Sequence, residues 1–299
     1  LNIFQNGVEF CEAISSEHIL PLFGDFDSGH ILWLGDQARS SEHLSQFANI
    51  LVTGKFTGPV HYQTIFLASL ASSEIVNVKE KEKKDIKTYE KSGFLAAHFN
   101  SIVGVVRVGP QGLKGRSSHD HDDALHLWLS YNGIDILVDE GCKAYSLDQS
   151  IRKNCIMSGA HNVVKLLNNE RFEPVQGSIV NTVRGASVSN VYTHGKTDEK
   201  CYLEASLAIN ENSGFIMSKR KVEFFKNEHS VVTVIKDFWE VGFSQDIETK
   251  WRLNTLKQPK VILNEDNYIS VEFNIGTMEV LILIRSHSKV SFTTGFLLK

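Results

Sequence analysis

The spacing of apolar and polar residues changes along the chain near residue 93. Before that point, Phe4 to Ile19 and Ser41 to Val52 place apolar residues at the three- and four-residue intervals of an amphipathic helix. A further segment, His61 to Ser73, follows Gly58-Pro59 and is compatible with a third helix. The pattern therefore predicts a short, mixed α-helical segment over residues 1–76.

From Gly93 onward the chain consists of short β-rich runs separated by turn residues. None of the five prolines falls inside these runs, which suits hydrogen-bonded strands. Repeated short runs of this kind predict a mainly β fold, a large antiparallel β-sandwich of the supersandwich type, over residues 93–299. The predicted strands are Ile102 to Val108, Leu125 to Ser130, Ile134 to Val138, Asn162 to Leu167, Val188 to Tyr192, Tyr202 to Ile209, Lys221 to Phe225, Ser230 to Phe238, Glu248 to Leu253, Tyr268 to Phe273 and Thr277 to Ile284.

Between the two regions, residues 77–92 are dominated by lysine and glutamate. A charge run of this kind is typical of a solvated linker or of an exposed edge strand. We assign it no binding partner.

Composition excludes several classes of function. Of the 299 residues, 42% are apolar and 22% are charged, which describes an ordinary globular protein with a real core. The net charge of −4 does not indicate the extended basic surface that a nucleic acid would bind. No apolar run reaches the ~18 residues that a membrane-spanning helix needs.

Two further features of the sequence bear on its origin. The four cysteines are far apart and form no CxxC pair, so buried thiols are favoured and a disulfide stays open. The chain begins at Leu1, with neither methionine nor signal sequence, which indicates a trimmed or partial chain.

Three separate segments carry metal-ligand chemistry: His119-Asp120-His121, Asp139 and His161. In a β-strand, residues i and i+2 project from the same face, so the two imidazoles of the first segment would lie side by side. With a carboxylate and a third imidazole they form a donor set for a divalent metal. Since the chain has 12 histidines, a chance His-x-His in a solvated loop remains the alternative.

The predicted hairpin around Asn132-Gly133 brings these segments together only approximately. A two-residue turn would place Asp139 opposite His126 rather than His121. A bend, a bulge or a different turn must close that gap.

In order and spacing, these segments resemble the C-terminal domain of the heparinase II/III-like polysaccharide lyases, over most of residues 20–175. The matching motifs are His119-x-His121-x-Asp123-x-Leu125, Asp139-x-Gly141, Ala160-His161-Asn162-Val163-Val164, Gly24-Asp25-Phe26-Asp27-Ser28-Gly29 and Tyr89-Glu90-Lys91-Ser92-Gly93. The resemblance implies that residues 1–76 are the end of an α/α toroid with its crossover.

The resemblance also implies an activity, the β-elimination of a uronate-containing acidic polysaccharide or oligosaccharide. It makes His119 the catalytic imidazole, and His121, Asp139 and His161 the ligands of a divalent metal, with zinc preferred. Asp123 would accept a hydrogen bond from a ligating imidazole, or would be an ordinary turn carboxylate. A periplasmic or extracellular location is implied by the resemblance alone.

Three more residues are candidates for substrate contact. Tyr145 would act as a substrate contact or acid, or would only pack. Arg116 and Arg152 would clamp a substrate carboxylate, or would be ordinary surface charges. The family often has Thr-Tyr where this chain has Cys142-Lys143, and Arg-Ser-Thr where it has Ile156-Met157-Ser158.

Two other classes of protein stay open. A non-catalytic carbohydrate-binding or interaction domain could retain the metal site without turning over substrate, since no source is found here for the toroid's catalytic tyrosine. A cupin-type metalloprotein would also use His-x-His, but cupins expect a glutamate a few residues later and Ala124 to Leu127 offers none.

Overall fold

The computed structural model describes the chain in segments: residues 2–25, 39–53, 62, 64, 65, 69, 85–109, 119–142, 148–166, 172–175, 181–183, 186–211, 214–226, 231–241, 247–249, 251–253, 260–265, 268–275 and 278–285. It divides into two compact units, Leu1–Arg252 and Leu253–Lys299. The second unit contains a three-stranded antiparallel sheet whose strands are β14 (Lys260–Glu265), β15 (Tyr268–Ile275) and β16 (Met278–Arg285).

Helices occupy the predicted N-terminal positions and one position that was not predicted. The helices are α1 (Asn2–Ile14), α2 (Glu42–Thr53) and α3 (Gln149–Ile156). The first two confirm the helical spacing, whereas most of His61 to Ser73 lies outside the described residues. Helix α3 is short and begins at Asp148, whose carboxylate accepts hydrogen bonds from the N–H groups of Ser150 and Ile151.

A five-stranded antiparallel meander forms one layer of the first unit. Its strands, in spatial order, are β1 (Ile86–Tyr89), β2 (Phe94–Phe99), β3 (Ile102–Arg107), β4 (Leu127–Tyr131) and β5 (Ile134–Leu137). Strand β1 lies at one edge of this sheet. The β4–β5 hairpin turns at Asn132-Gly133 and has a register shift between Leu129 and Ser130, so the expected irregularity exists.

A four-stranded antiparallel sheet forms the second layer. Its strands are β9 (Ala186–Lys196), β10 (Lys200–Glu211), β11 (Gly214–Lys226) and β12 (Val231–Val241). They lie in the order β12-β11-β10-β9. Two short antiparallel pairs complete the unit: β6 (Val164–Leu166) with β13 (Ile247–Thr249), and β7 (Phe172–Pro174) with β8 (Asn181–Val183).

The two layers meet at an aromatic contact. The Phe224 ring of β11 lies against Gly104 of β3, where an added Cβ would come within 2.6 Å of the ring. The same ring stacks on Phe99 at a centroid distance of 6.5 Å. Glycine at 104 therefore lets the sheets pack closely, and the predicted mainly β, antiparallel fold is confirmed.

Helix α1 covers the opposite face of the five-stranded sheet. The Phe10 ring contacts Phe94 edge-on at 5.6 Å, and Ile14 joins a buried cluster with Val105 and Trp128. Because β2 is covered on both faces, Leu95, Ala96 and Ala97 are all fully buried. A strand without polar alternation is hard to recognise from sequence, and β2 was not predicted.

All four cysteines are free thiols, and Cys155 and Cys201 are buried. Among the described residues, no helix is both long and apolar enough to cross a membrane.

Candidate metal and catalytic centre

The loop between β3 and β4 carries the two histidines of the His-x-His motif. Strand β4 begins at Leu127, and residues 119–126 are irregular, with positive φ angles at His119 (67°) and Leu125 (65°). These two histidines therefore lie on a loop ahead of β4, where the same-face geometry of a β-strand does not apply. The loop is held by main-chain hydrogen bonds instead, from Asp122 N–H to Ile156 O and from Leu125 N–H to Arg107 O, both 2.8 Å.

Three predicted ligands converge at this loop. The residues His121, Asp139 and His161 are 1%, 4% and 0% exposed, so they lie wholly inside the protein. One potential ligand atom from each lies within 4.8 Å of the other two, and the two imidazole centroids are 5.2 Å apart. Asp139 follows β5, and His161 follows a single 3₁₀ turn, Ser158–Ala160. This buried group could hold a metal ion.

The hydrogen bonds of His121 and His161 indicate which nitrogen of each ring carries the proton. An ionised carboxylate can only accept a hydrogen bond, so the ring nitrogen that faces it must carry the proton. His121 Nε2 faces Asp25 Oδ1 at 3.1 Å, and His161 Nδ1 faces Asp139 Oδ2 at 2.7 Å. In neutral rings this leaves lone pairs on His121 Nδ1 and His161 Nε2. Both atoms are buried, and neither has a hydrogen-bond partner among the described residues.

Both carboxylates are held in the charged state. Burial alone would raise the pKa of the Asp139 carboxyl, but its interaction with His161, including the hydrogen bond from that ring, outweighs burial and lowers the pKa well below its usual range. Burial likewise opposes ionisation of Asp25, but hydrogen bonds from His121 and Arg152 lower its pKa overall. The pKa of His161 is raised, because its attraction to Asp139 outweighs the opposing effect of burial.

This donor set fits a divalent cation. Two buried imidazole lone pairs without partners lie beside a buried carboxylate, and Asp25, a carboxylate outside the three candidate ligands, fixes His121 at its other nitrogen. Ligating histidines in metalloproteins commonly have this second hydrogen bond.

His126 lies beside the group but has a different role. Its Nδ1 accepts a hydrogen bond from the Asn162 N–H at 2.9 Å, and its ring meets His161 edge-on at 5.7 Å. Burial lowers its pKa to about 3, so the ring is neutral. His126 is therefore a packed histidine rather than one of the three candidate ligands.

Two residues that the sequence analysis did not assign a role hold the surrounding segments in place. The Asn162 amide donates to Leu127 O and to Val138 O, both at 3.1 Å, and thereby joins β4 to the segment after β5. Arg220 on β11 is 2% exposed and donates to the carbonyl oxygens of Leu125 and Asn162. No local pattern identifies such an arginine, since its contacts lie 58 and 95 residues away in the chain.

His119 lies at the outer edge of this group. Its side chain is 46% exposed, whereas the three candidate ligands are buried, so it can meet a molecule arriving from solvent. Its Nδ1 is 3.4 Å from Asp25 Oδ2. His119 is therefore close to the buried group of His121, Asp139 and His161 but is not one of its members.

The other candidates are placed differently. Arg152 lies on α3 with a side chain 0% exposed, and its Nη1 donates to both oxygens of Asp25 at 2.7 and 2.8 Å. The contact of Arg152 with substrate stays a prediction. Its side chain is not at the surface of the protein. Arg116 and Tyr145 lie outside the described residues. Asp123 forms a long ion pair with Arg107 at 4.0 Å.

Comparison with known proteins identifies the family. The family described as heparinase II/III-like, C-terminal, matches residues 81–291. The match covers more than half of the chain, so the chain belongs to this family.

Solved structures that align with the chain include two lyases. A heparinase III is 14% identical, with 94% of this chain and 52% of that chain covered and a TM-score of 0.41. The heparan sulfate lyase HepC from Pedobacter heparinus is 12% identical, with 95% and 53% covered and a TM-score of 0.39. The chain spans about half the length of these lyases. Among curated proteins, no match is found.

Proposed function

We propose that this chain supplies the catalytic histidine and a metal site to a polysaccharide lyase that acts on a uronate-containing acidic polysaccharide by β-elimination. The observation that carries the proposal is one half-exposed imidazole beside three buried ligand-type side chains. The family membership of residues 81–291 supports the class of reaction.

In β-elimination a base removes the proton α to the uronate carboxylate, and an acid protonates the glycosidic oxygen that departs. An imidazole is the side chain best suited to exchange a proton near neutral pH. His119 is assigned this role because its side chain is 46% exposed and its orientation is limited by Asp25. The carboxylate of the substrate must also be neutralised, which calls for a cation or strong hydrogen-bond donors.

The metal, zinc by the chemistry of its ligands, is assigned to His121, Asp139 and His161. A bound divalent cation would supply positive charge and would also tie three separate segments of the chain together. The protein's contribution is to keep Asp139 ionised and to present one imidazole lone pair from each histidine. Exclusion of water from this buried group would strengthen the attraction between Asp139 and a bound cation.

The test uses two variants and one control. His119→Ala should retain metal and fold, and the intact protein should lose at least ~100-fold in the rate at which an ultraviolet-absorbing unsaturated product forms. His121→Ala should lose the near-stoichiometric metal that elemental analysis finds in the wild type. His194→Ala, an exposed histidine on β9, should change neither. Wild-type activity in His119→Ala, or equal metal in His121→Ala, would contradict the assignment.

The second candidate is a non-catalytic carbohydrate-binding domain that keeps the metal. One observation favours it: Arg152, a candidate contact for the substrate carboxylate, is buried and binds Asp25 instead. Binding of an acidic polysaccharide without any unsaturated product, in the intact protein, would select this candidate.

A further inference from the structure

One carboxylate from the N-terminal segment contacts both histidines of the His-x-His motif. Asp25 lies 94 and 96 residues before His119 and His121, yet its two oxygens face their rings at 3.4 and 3.1 Å. The Asp25 side chain is 0% exposed.

Backbone contacts fix this carboxylate in place. The Asp25 N–H donates to the carbonyl oxygen of His119 at 3.1 Å. Gly24, with φ of +66°, lies so close to the same oxygen that an added Cβ would be 3.0 Å from it. Glycine at position 24 therefore permits both the left-handed backbone and the close approach.

The charge of Asp25 is balanced by a buried cation on a third segment. Arg152 on α3 donates to both carboxylate oxygens, and its side chain is 0% exposed. A buried carboxylate beside an arginine remains an acceptor, so it directs the N–H of a facing imidazole toward itself. For His121 that N–H is on Nε2, and the lone pair on Nδ1 is left for a ligand.

We propose that Asp25 is the positioning residue of this centre. It selects the nitrogen through which His121 meets a metal, and it limits the orientation of His119 toward substrate. The proposal rests on the metal site described under Proposed function. It also gives a role to Arg152, which stabilises the charge of Asp25 from within the protein.

The experiment measures the affinity of the purified chain for Co²⁺, and the visible spectrum of the bound ion. Asp25→Asn keeps the shape of the side chain and removes its charge. We expect binding ~10–100-fold weaker than wild type and a shifted spectrum, as is typical for loss of the partner of a ligating imidazole.

The matched control is Asp135→Asn. Asp135 is also buried and also accepts from an arginine, Arg39 at 2.7 Å, and from Trp128 Nε1 at 3.0 Å, neither of which is a candidate ligand. It should lose stability and keep wild-type Co²⁺ affinity and spectrum. Equal affinity and spectrum in Asp25→Asn and wild type would overturn the proposal.

A second measurement separates this proposal from the metal assignment. Nitrogen-15 spectra of the imidazoles in metal-free protein report which ring nitrogen carries the proton. His121 should be protonated at Nε2 alone in wild type, and should become a mixture of tautomers in Asp25→Leu or in Gly24→Ala. If the wild type binds no Co²⁺, the metal site fails and these spectra decide the role of Asp25. An unchanged single tautomer in the variants would refute it.

Discussion

Two buried arginines act on opposite ends of the same loop, one by direct contact and the other through a carboxylate. Arg220, on a long regular strand, pairs with Asp237 at 2.7 and 2.8 Å and donates to the main-chain oxygen of Leu125. Arg152, on a short helix, reaches the other end only through Asp25, whose carboxylate faces the two imidazoles. One pair therefore fixes the backbone of the loop, and the other fixes the side chains that carry chemistry.

Because of this difference, one end of the eight-residue loop 119–126 should matter for the stability of the fold and the other end for function. At the Leu125 end, the contact is made to a main-chain oxygen, so it does not depend on which side chains the loop carries. At the His119 end, the contacts depend on the identity of both histidines. Changes at Arg220 should therefore alter the free energy of unfolding, whereas changes at Asp25 should alter binding of a ligand.

The largest expected effect is on the stability of Arg220→Met. The variant leaves Asp237 without its partner and frees two buried carbonyl oxygens, so the free energy of unfolding should fall by about 3–5 kcal/mol. Urea denaturation measures this. Lys219→Met removes a 43% exposed cation from the same strand and should cost less than about 1 kcal/mol. The contrast between the two arginines would be contradicted if Arg220→Met kept its stability but contained less metal per folded molecule.

Next in size is Asn162→Ala. Its amide joins Leu127 O and Val138 O, and its side-chain oxygen accepts the Arg252 N–H at 2.5 Å. Loss of these bonds inside the protein should lower the free energy of unfolding by about 2 kcal/mol. Asn6→Ala, exposed on α1, should stay within about 0.5 kcal/mol. A neutral Asn162→Ala would mean that the segments around the site are held by packing alone.

The smallest effect is expected at Glu223, on the outer face of the four-stranded sheet. Its carboxylate is 3% exposed and lies at 2.6 and 2.7 Å from Lys200 and Lys236. Burial opposes ionisation, but hydrogen bonds from these lysines lower the pKa from 4.5 to about 2. Because the folded pKa is depressed, the stabilisation is present above pH 4.5 and is lost as pH falls toward 2.

Glu223→Gln should therefore cost about 1 kcal/mol at pH 7 and close to nothing at pH 2, after allowance for the exposure of the lysines. Thermal unfolding at a series of pH values measures this. Metal content should be unchanged, because Glu223 faces away from the loop that both arginines contact. A pH-independent cost would mean that shape rather than charge makes Glu223 important.

Local patterns in the sequence predicted much of this molecule. Helical spacing identified α1 and α2, and the Asn132-Gly133 turn fixed the β4–β5 hairpin. The motif residues His121, Asp139 and His161 do converge. Strand β2 was missed because both its faces are buried, and helix α3 because eight residues carry too little periodicity.

The roles of individual residues around the site were harder to predict. Asp123 was expected either beside a ligating imidazole or as an ordinary turn carboxylate. In the structure Asp25 faces the His121 ring, and Asp123 faces Arg107. Asp25 belongs to a motif that the sequence analysis recognised, but nothing in the motif names its partner. A carboxylate can serve an imidazole from any position in the chain that folding brings within hydrogen-bond reach.

By itself, the sequence determined the family, the mainly β fold and the residue types that can bind a metal, because each depends on local spacing or on motif order. The tertiary structure alone decided which nitrogen of each histidine faces inward, which arginine is buried, and which carboxylate holds the His-x-His motif. These depend on contacts between segments as far as 127 residues apart. Such contacts form only when burial and compensation of charge are satisfied together in the folded chain.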